Sequence, residues 1–308
     1  FNILLTARNP PRMSPMRALI ALFTGGVSLL LVGCAVLLEP LEKSLLYRPW
    51  SPGSEYLTSI ASRENGIEEV HLATSDGVKL HGWLKHPPGA RRGERFPIVI
   101  VFGGVRRETS WMINQGEKPR EWGWLFVNYR GYGLSEGEPS EQVVLEDAKL
   151  VYDYAAARPD VDPASIVLLG RSLGSYVAVK VAAERKTRGA ILATPFDSFA
   201  ALGAERYPYL PVGLLLNGHY DSAAIAPTIT VPALFVLAEN DNVTPVANGT
   251  ALARAWGGPH QTVMLAGARH YGIERRDEFW RAVGEFLREL KAVPPIRPGT
   301  AFKVGAQP

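Results

Sequence analysis

The pentapeptide Gly170-Arg171-Ser172-Leu173-Gly174 constrains this chain more than any other stretch. It follows the apolar run Ile166-Val167-Leu168-Leu169 and precedes a helical pattern from Ser175 to Glu184. That order predicts strand, tight turn, helix. A serine at the apex of such a turn is held in strained backbone geometry, and its neighbours must be small. Gly170 and Gly174 meet that demand, because a Cβ at either place would crowd the turn. The hydroxyl is then carried to the C-terminal end of a sheet, next to a helix N-terminus. The pattern by itself recurs by chance in many chains. Its place between an apolar strand and a helix makes it specific. Without chemistry it is a Gly-flanked connection bearing a surface serine.

A nucleophilic serine needs a base and an orienting acid, and in this kind of sheet the expected chain order is Ser, then Asp or Glu, then His. Of the six histidines, only His219, His260 and His270 follow Ser172. His270 lies in Ala266 to Gly272, after the apolar strand candidate Thr262 to Leu265 and before a helical pattern from Ile273 to Leu290. That places it in a loop at the C-terminal end of a strand, where functional groups of open α/β sheets gather. His260 enters the same strand from its other end, and His219 falls in an irregular segment. The acid predicted is Asp241, in the loop Ala238 to Pro245 after the strand candidate Ala233 to Leu237. A carboxylate there meets the His270 loop if the two strands are neighbours. Glu239 and Asp197 are its rivals, and Asn240-Asp241-Asn242 is also turn chemistry.

A tetrahedral intermediate needs donors for its oxyanion. One is expected to be the backbone N–H of Leu173, directly after the serine. The other is expected from the loop after an earlier strand. Phe96 to Phe102 is such a strand, and Gly103-Gly104-Val105 follows it. The N–H of Gly104 is the nominee, with Val105 as the alternative. A plain Gly-Gly turn is the reading without chemistry.

These residues carry a resemblance. The chain is similar to α/β-hydrolase-fold serine hydrolases, in particular the membrane-anchored branch of bacterial esterase-like proteins and eukaryotic protein depalmitoylases. It also resembles serine aminopeptidase-type hydrolases. Asn128-Tyr129-Arg130-Gly131-Tyr132-Gly133-Leu134-Ser135-Glu136-Gly137 matches the family's loop after the fourth strand. Gly170 to Gly174 matches its elbow, Ala238 to Pro245 its acid loop and Ala266 to Gly272 its histidine loop. These span most of residues 68 to 292. Two departures stand out. The family often has His-Gly in the oxyanion loop where this chain has Phe102-Gly103, and a glycine usual in the acid loop is Ala238 here.

The alternation of strand and helix patterns between residues 68 and 292 predicts a mostly parallel, doubly wound α/β sheet. Glu69 to Ala73 and Val78 to Lys85 form an expected antiparallel opening pair across Ser75-Asp76-Gly77. Trp124 to Asn128 and Ala190 to Ala193 are further strand candidates. Helices are expected over Glu141 to Ala157 and Glu274 to Leu290. Between Phe199 and Pro232 the pattern breaks, and a short cap over the site is expected there. The domain layout is then an N-terminal segment over 1–40, a hydrolase-like domain over 41–293 and a loosely ordered tail over 294–308, rich in Pro, Gly and Ala.

Composition sets the remaining bounds. The chain has 308 residues, 46% of them hydrophobic, and a formal net charge of only +3. With no basic stripe interleaved with aromatics, nucleic acid is not an expected partner. There is no Walker loop, no dinucleotide fingerprint and no His-Glu-x-x-His zinc helix, so no cofactor or metal is implied.

The N-terminal segment is the second informative region. Ala18 to Leu38 carries no charge and has about the length of a bilayer-spanning helix, ~20 residues. Arg8, Arg12 and Arg17 precede it, which predicts a cytoplasmic N-terminus and an extracytoplasmic (periplasmic) domain. Alternatively, Leu31-Val32-Gly33-Cys34 resembles a lipobox, with Cys34 as the lipid-bearing residue after a signal peptide. Against that, Ala35 to Leu38 continue the apolar run. Cys34 is the only cysteine, so no intrachain disulfide forms. Met13 or Met16 are candidate start residues.

The expectation from sequence is therefore a membrane-tethered serine hydrolase with the triad Ser172, Asp241 and His270, acting on a small-molecule or acyl substrate, with a carboxylic ester as the first choice. Peptide and thioester bonds are alternatives on the same triad. A binding protein that keeps the fold without the chemistry is the alternative of another class.

Overall fold

The computed structural model describes residues 47, 53, 56, 59–60, 66–91, 93–209 and 220–292. All of them belong to one compact unit beginning at Tyr47. The expected N-terminal segment with Cys34, His219 and the tail 294–308 lie outside the described residues. Among the described residues no helix is long and apolar enough to cross a membrane.

Eight strands form one sheet: β1 (Ile67–Ala73), β2 (Lys79–Lys85), β3 (Phe96–Phe102), β4 (Gly123–Val127), β5 (Val161–Arg171), β6 (Gly189–Ala193), β7 (Ala233–Ala238) and β8 (His260–Leu265). Their order is β1-β2-β4-β3-β5-β6-β7-β8. β1 pairs antiparallel with β2, and β2 antiparallel with β4; every other pairing is parallel. The expected mostly parallel sheet is the one observed. The burial of each strand explains why its sequence could be read. β4, β6 and β7 are buried at every residue and appear as unbroken apolar runs, as parallel strands with both faces covered must. β1 alternates instead, with Val70 and Leu72 inside and Glu69, His71 and Ala73 outside. That is the signature of a strand with one wet face.

Helices cover the sheet: α1 (Glu141–Ala157), α2 (Leu173–Glu184), α3 (Phe199–Arg206), α4 (Val246–Ala255) and α5 (Asp277–Ala292). α5 is amphipathic, burying Phe279, Trp280, Val283, Phe286, Leu287 and Leu290 on one stripe. α2 has no such stripe. It buries nine of its twelve residues, as a central helix wedged behind the sheet requires.

Two boundaries differ from the sequence expectation. α2 starts at Leu173, not Ser175, because Gly174 is a helical residue rather than part of the turn. α5 starts at Asp277, not Glu274. A left-handed Gly272 (φ 90°) and a 3-10 turn over Ile273–Arg275 come first, with Glu274 buried. Within 199–232 the described part holds α3, a bridge between Ser198 and Asp221, and a 3-10 turn at Ala226–Thr228. Phe199 lies between Phe196 and Tyr220, with ring centroids 4.7 and 4.4 Å away.

Candidate active site

Ser172 joins β5 to α2 with φ 52° and ψ −119°, a conformation that a non-glycine residue adopts only when its surroundings hold it there. Three constraints do so. The Ser172 N–H donates to the Ala193 carbonyl of β6 at 2.9 Å, and the Ser172 carbonyl accepts from the Ser175 N–H and hydroxyl at 2.8 and 2.6 Å. The third is space. A Cβ on Gly170 would lie 2.2 Å from the Gly174 carbonyl oxygen, and one on Gly174 would lie 2.1 Å from that of Phe102. Both glycines are therefore required by contact with backbone, which cannot give way as a flexible side chain can.

The Ser172 hydroxyl sits 3.1 Å from His270 Nε2. His270 Nδ1 lies 2.9 and 3.1 Å from the two carboxylate oxygens of Asp241. The parallel pairing of β7 with β8 creates this meeting, because it sets the loops after Ala238 and Leu265 side by side. All three residues are at least nine-tenths buried. A carboxylate only accepts, so Nδ1 carries the proton and donates to Asp241. Nε2 is then the free lone pair facing the serine hydroxyl. The structure thus brings together the three residues expected from sequence.

Burial alone pushes the Asp241 carboxyl up. The hydrogen bond and charge of His270, with the Val243 and Thr244 N–H groups donating to Oδ1 at 2.9 and 2.8 Å, outweigh that and hold it below the ordinary 3.8. The Asn-Asp-Asn turn chemistry and the contact with His270 therefore coexist in one side chain. Asp241 closes its own loop as an Asx turn with one oxygen and meets the imidazole with both.

The rivals are placed elsewhere. Asp197 accepts from the Ser198 N–H and the Asn248 side chain. Glu239 is exposed and accepts from the Gly267 N–H at 2.7 Å. His260 is exposed at the opposite end of β8.

The expected oxyanion donors flank the serine. A Cβ on Gly104 would lie 3.6 Å from Ser172 Cβ, so the Gly104 backbone runs beside the serine. The Tyr129 hydroxyl donates to the Gly103 carbonyl at 3.0 Å and the Tyr132 hydroxyl to the Val105 carbonyl at 2.6 Å. In a planar trans peptide the N–H points opposite to the C=O, so tying back the Gly103 carbonyl turns the Gly104 N–H away from Tyr129. Burial raises the Tyr129 phenol well above its ordinary value, which keeps it protonated as a donor. Among the described residues the N–H groups of Gly104 and Leu173 have no protein acceptor.

Sequence reasoning missed three residues here. The Thr244 hydroxyl lies 3.0 Å from Asp241 Oδ2, 3.1 Å from His270 Nδ1 and 3.1 Å from the Thr194 carbonyl, bracing acid and base together. The spacing Asp241-x-x-Thr244 is the readable sign of that turn. Arg171 and Glu274 form a buried ion pair, and Arg171 also donates to the His270 carbonyl at 2.9 Å. Nothing local in sequence marks that pair. Its partners come from the elbow and from the turn after the histidine loop, so it clamps the two loops that carry Ser172 and His270. Glu274→Gln leaves the guanidinium of Arg171 with no carboxylate in a buried setting. The expected loss of stability is about 3–5 kcal/mol, read as a lower urea midpoint at an unchanged slope.

No family model matches the chain, but curated relatives do. Over 283 residues it is 32% identical to "Uncharacterized protein Rv2307c" of Mycobacterium tuberculosis, across 90% of this chain and 96% of that protein. Over 199 residues it is 33% identical to the "Alpha/beta hydrolase domain-containing protein WAV2" of Arabidopsis thaliana, across 62% of this chain and 63% of that one. Among solved structures, the Pyrococcus furiosus esterase Pf2001 superposes with a TM-score of 0.61 at 18% identity, covering 80% of this chain and 98% of the esterase. The acetyl xylan esterase of Paenibacillus sp. R4 gives 0.60 at 16% identity, covering 79% and 97%. The chain has the α/β-hydrolase fold.

Proposed function

We propose that the protein is a serine hydrolase that cleaves carboxylic esters through an acyl-enzyme. The observation that carries this reading is the continuous chain Ser172 Oγ to His270 Nε2 at 3.1 Å and His270 Nδ1 to Asp241 at 2.9 Å, with the serine in a strained turn. His270 Nε2 takes the hydroxyl proton as Ser172 Oγ attacks the acyl carbon. Asp241 stabilises the imidazolium that forms. The N–H groups of Leu173 and Gly104 receive the oxyanion. His270 then returns the proton to the leaving alcohol, and a water enters by the same route to release the acid. That two of the fold neighbours are esterases agrees with an ester as first choice.

The test is a substrate panel on the full chain: a short-chain p-nitrophenyl ester, the matching thioester and an aminoacyl anilide. Ester hydrolysis with a pre-steady-state burst of nitrophenol is expected. A folded protein that cleaves none of the three contradicts the reading, and anilide cleavage alone would make it a peptidase.

We also propose that the uncharged run Ala18 to Leu38 tethers this domain on the outer side of a cytoplasmic membrane, as a span or through a lipid on Cys34. The three arginines before the run support that orientation. Full-length protein should stay in the membrane pellet through carbonate extraction, and protein lacking residues 1 to 40 should not. Recovery of both in the soluble fraction would overturn the tether.

A further inference from the structure

A cavity of about 170 Å³ opens beside the elbow, and its lining is unusual in charge. One wall is built from neighbours of the triad: Gly104, on which a Cβ would lie 3.6 Å from Ser172 Cβ, Arg171, which precedes Ser172 in the chain, and Tyr271, whose ring stands edge-on to His270 with centroids 5.1 Å apart. The remaining wall brings in Arg106 and Arg107 from the loop after β3 and Arg275 from the turn after Gly272. Among the described residues no Asp or Glu lines the cavity. The nearest acids in the chain are turned elsewhere: Glu274 is buried against Arg171, and Glu108 is buried and accepts from the Ser110 N–H at 2.6 Å. Arg106 and Arg275 add two guanidinium groups beside the paired Arg171, and this small space is positive.

Like charges on flexible exposed side chains ordinarily swing apart. Here ring faces hold them. The guanidinium carbons of Arg106 and Arg171 both lie 5.6 Å from the centroid of Tyr271, and that of Arg107 lies 5.1 Å from the centroid of Trp111. A guanidinium held near a ring keeps its N–H fork, the group that recognises a carboxylate or phosphate in bidentate fashion. No ion pair accounts for the placement of Arg106 and Arg275. Both are exposed, and among the described residues neither side chain forms an ion pair.

We propose that this cavity receives an anionic group, a carboxylate or a phosphate, carried by the substrate itself, so that negatively charged esters are the preferred class. The proposal rests on the reading of Ser172 as nucleophile, since the cavity is lined by Gly104 and Arg171, the residues beside Ser172. Binding of an anion there positions the ester and raises its local concentration, and salt weakens both effects.

The test uses p-nitrophenyl esters of matched length: hexanoate, the adipate half-ester, aminohexanoate and phosphonopentanoate. At low salt the adipate or the phosphonate ester is expected to show kcat/KM at least about tenfold above hexanoate, with aminohexanoate the poorest. Which of the two anions leads separates carboxylate from phosphate. In the double variant Arg106→Gln/Arg275→Gln the anionic-to-neutral ratio is expected to fall toward one. A wild-type ratio near one, or a ratio that the double variant leaves unmoved, overturns the proposal while the hydrolase reading stands. A second arm needs no turnover. Ser172→Ala protein is titrated calorimetrically with adipate and with glycerol phosphate, with and without the two arginine changes. Binding lost with the arginines supports the cavity even if no ester is cleaved, which would sink only the hydrolase reading. No binding of either anion, together with no charge preference, refutes it.

Discussion

Ser172→Ala protein is expected to fold as the wild type and to lose about six powers of ten in kcat toward a short-chain ester. That corresponds to ~8 kcal/mol of lost transition-state stabilisation. The loss is large because no other group lies where the Ser172 oxygen does, 3.1 Å from His270 Nε2 and against the Gly104 loop. Removing a buried hydroxyl from a turn already fixed by its backbone bonds costs little in stability. His270→Ala should cost about as much, and the double variant no more than either, because the two groups act as one unit. Near-normal turnover by Ser172→Ala, in steady-state assays of folded protein, would contradict the role of this residue.

Asp241→Asn is the second large effect, about four powers of ten in kcat. An asparagine at this place can donate to Nδ1, which moves the imidazole proton to Nε2. That nitrogen then faces Ser172 with a proton instead of a lone pair and cannot act as base. The same substitution has a pH signature in stability. The Asp241 carboxyl is held below its ordinary 3.8, so its stabilising contribution is fully present above that value. It is lost as pH falls through the lowered value. The thermal midpoints of wild type and Asp241→Asn should therefore converge as pH drops below about 4, and differ by a constant amount near neutrality. A gap that widens in acid would show that Asp241 is not held ionised by His270.

Much of this arrangement was legible because burial writes itself into sequence at the sheet centre. β3, β4, β6 and β7 are covered on both faces and carry unbroken apolar runs. The elbow was legible for a different reason: Gly170 and Gly174 are forced by contact with backbone, and only one residue type satisfies that contact. Asp241 and His270 followed from chain order and from their places after strand ends. What escaped was every feature assembled from distant segments. Arg171 and Glu274 read as ordinary charged residues, and only the fold sets one against the other in a buried pair. The Tyr129 and Tyr132 hydroxyls tie back the Gly103–Val105 loop, a task no local pattern announces. The arginine-lined cavity draws on the loop after β3, the end of β5 and the turn after the histidine loop. The start of α5 is not legible because the helical pattern runs on through Ile273–Arg275, which fold as a 3-10 turn after the left-handed Gly272.

Labelling of the full chain with a fluorophosphonate probe, read by peptide mass spectrometry, asks most directly whether one alcohol oxygen in this molecule is activated. Expected is a single adduct on the peptide bearing Ser172, absent from His270→Ala protein. A folded wild-type chain that stays unlabelled, or is labelled at another serine, would contradict a working Ser172–His270–Asp241 triad.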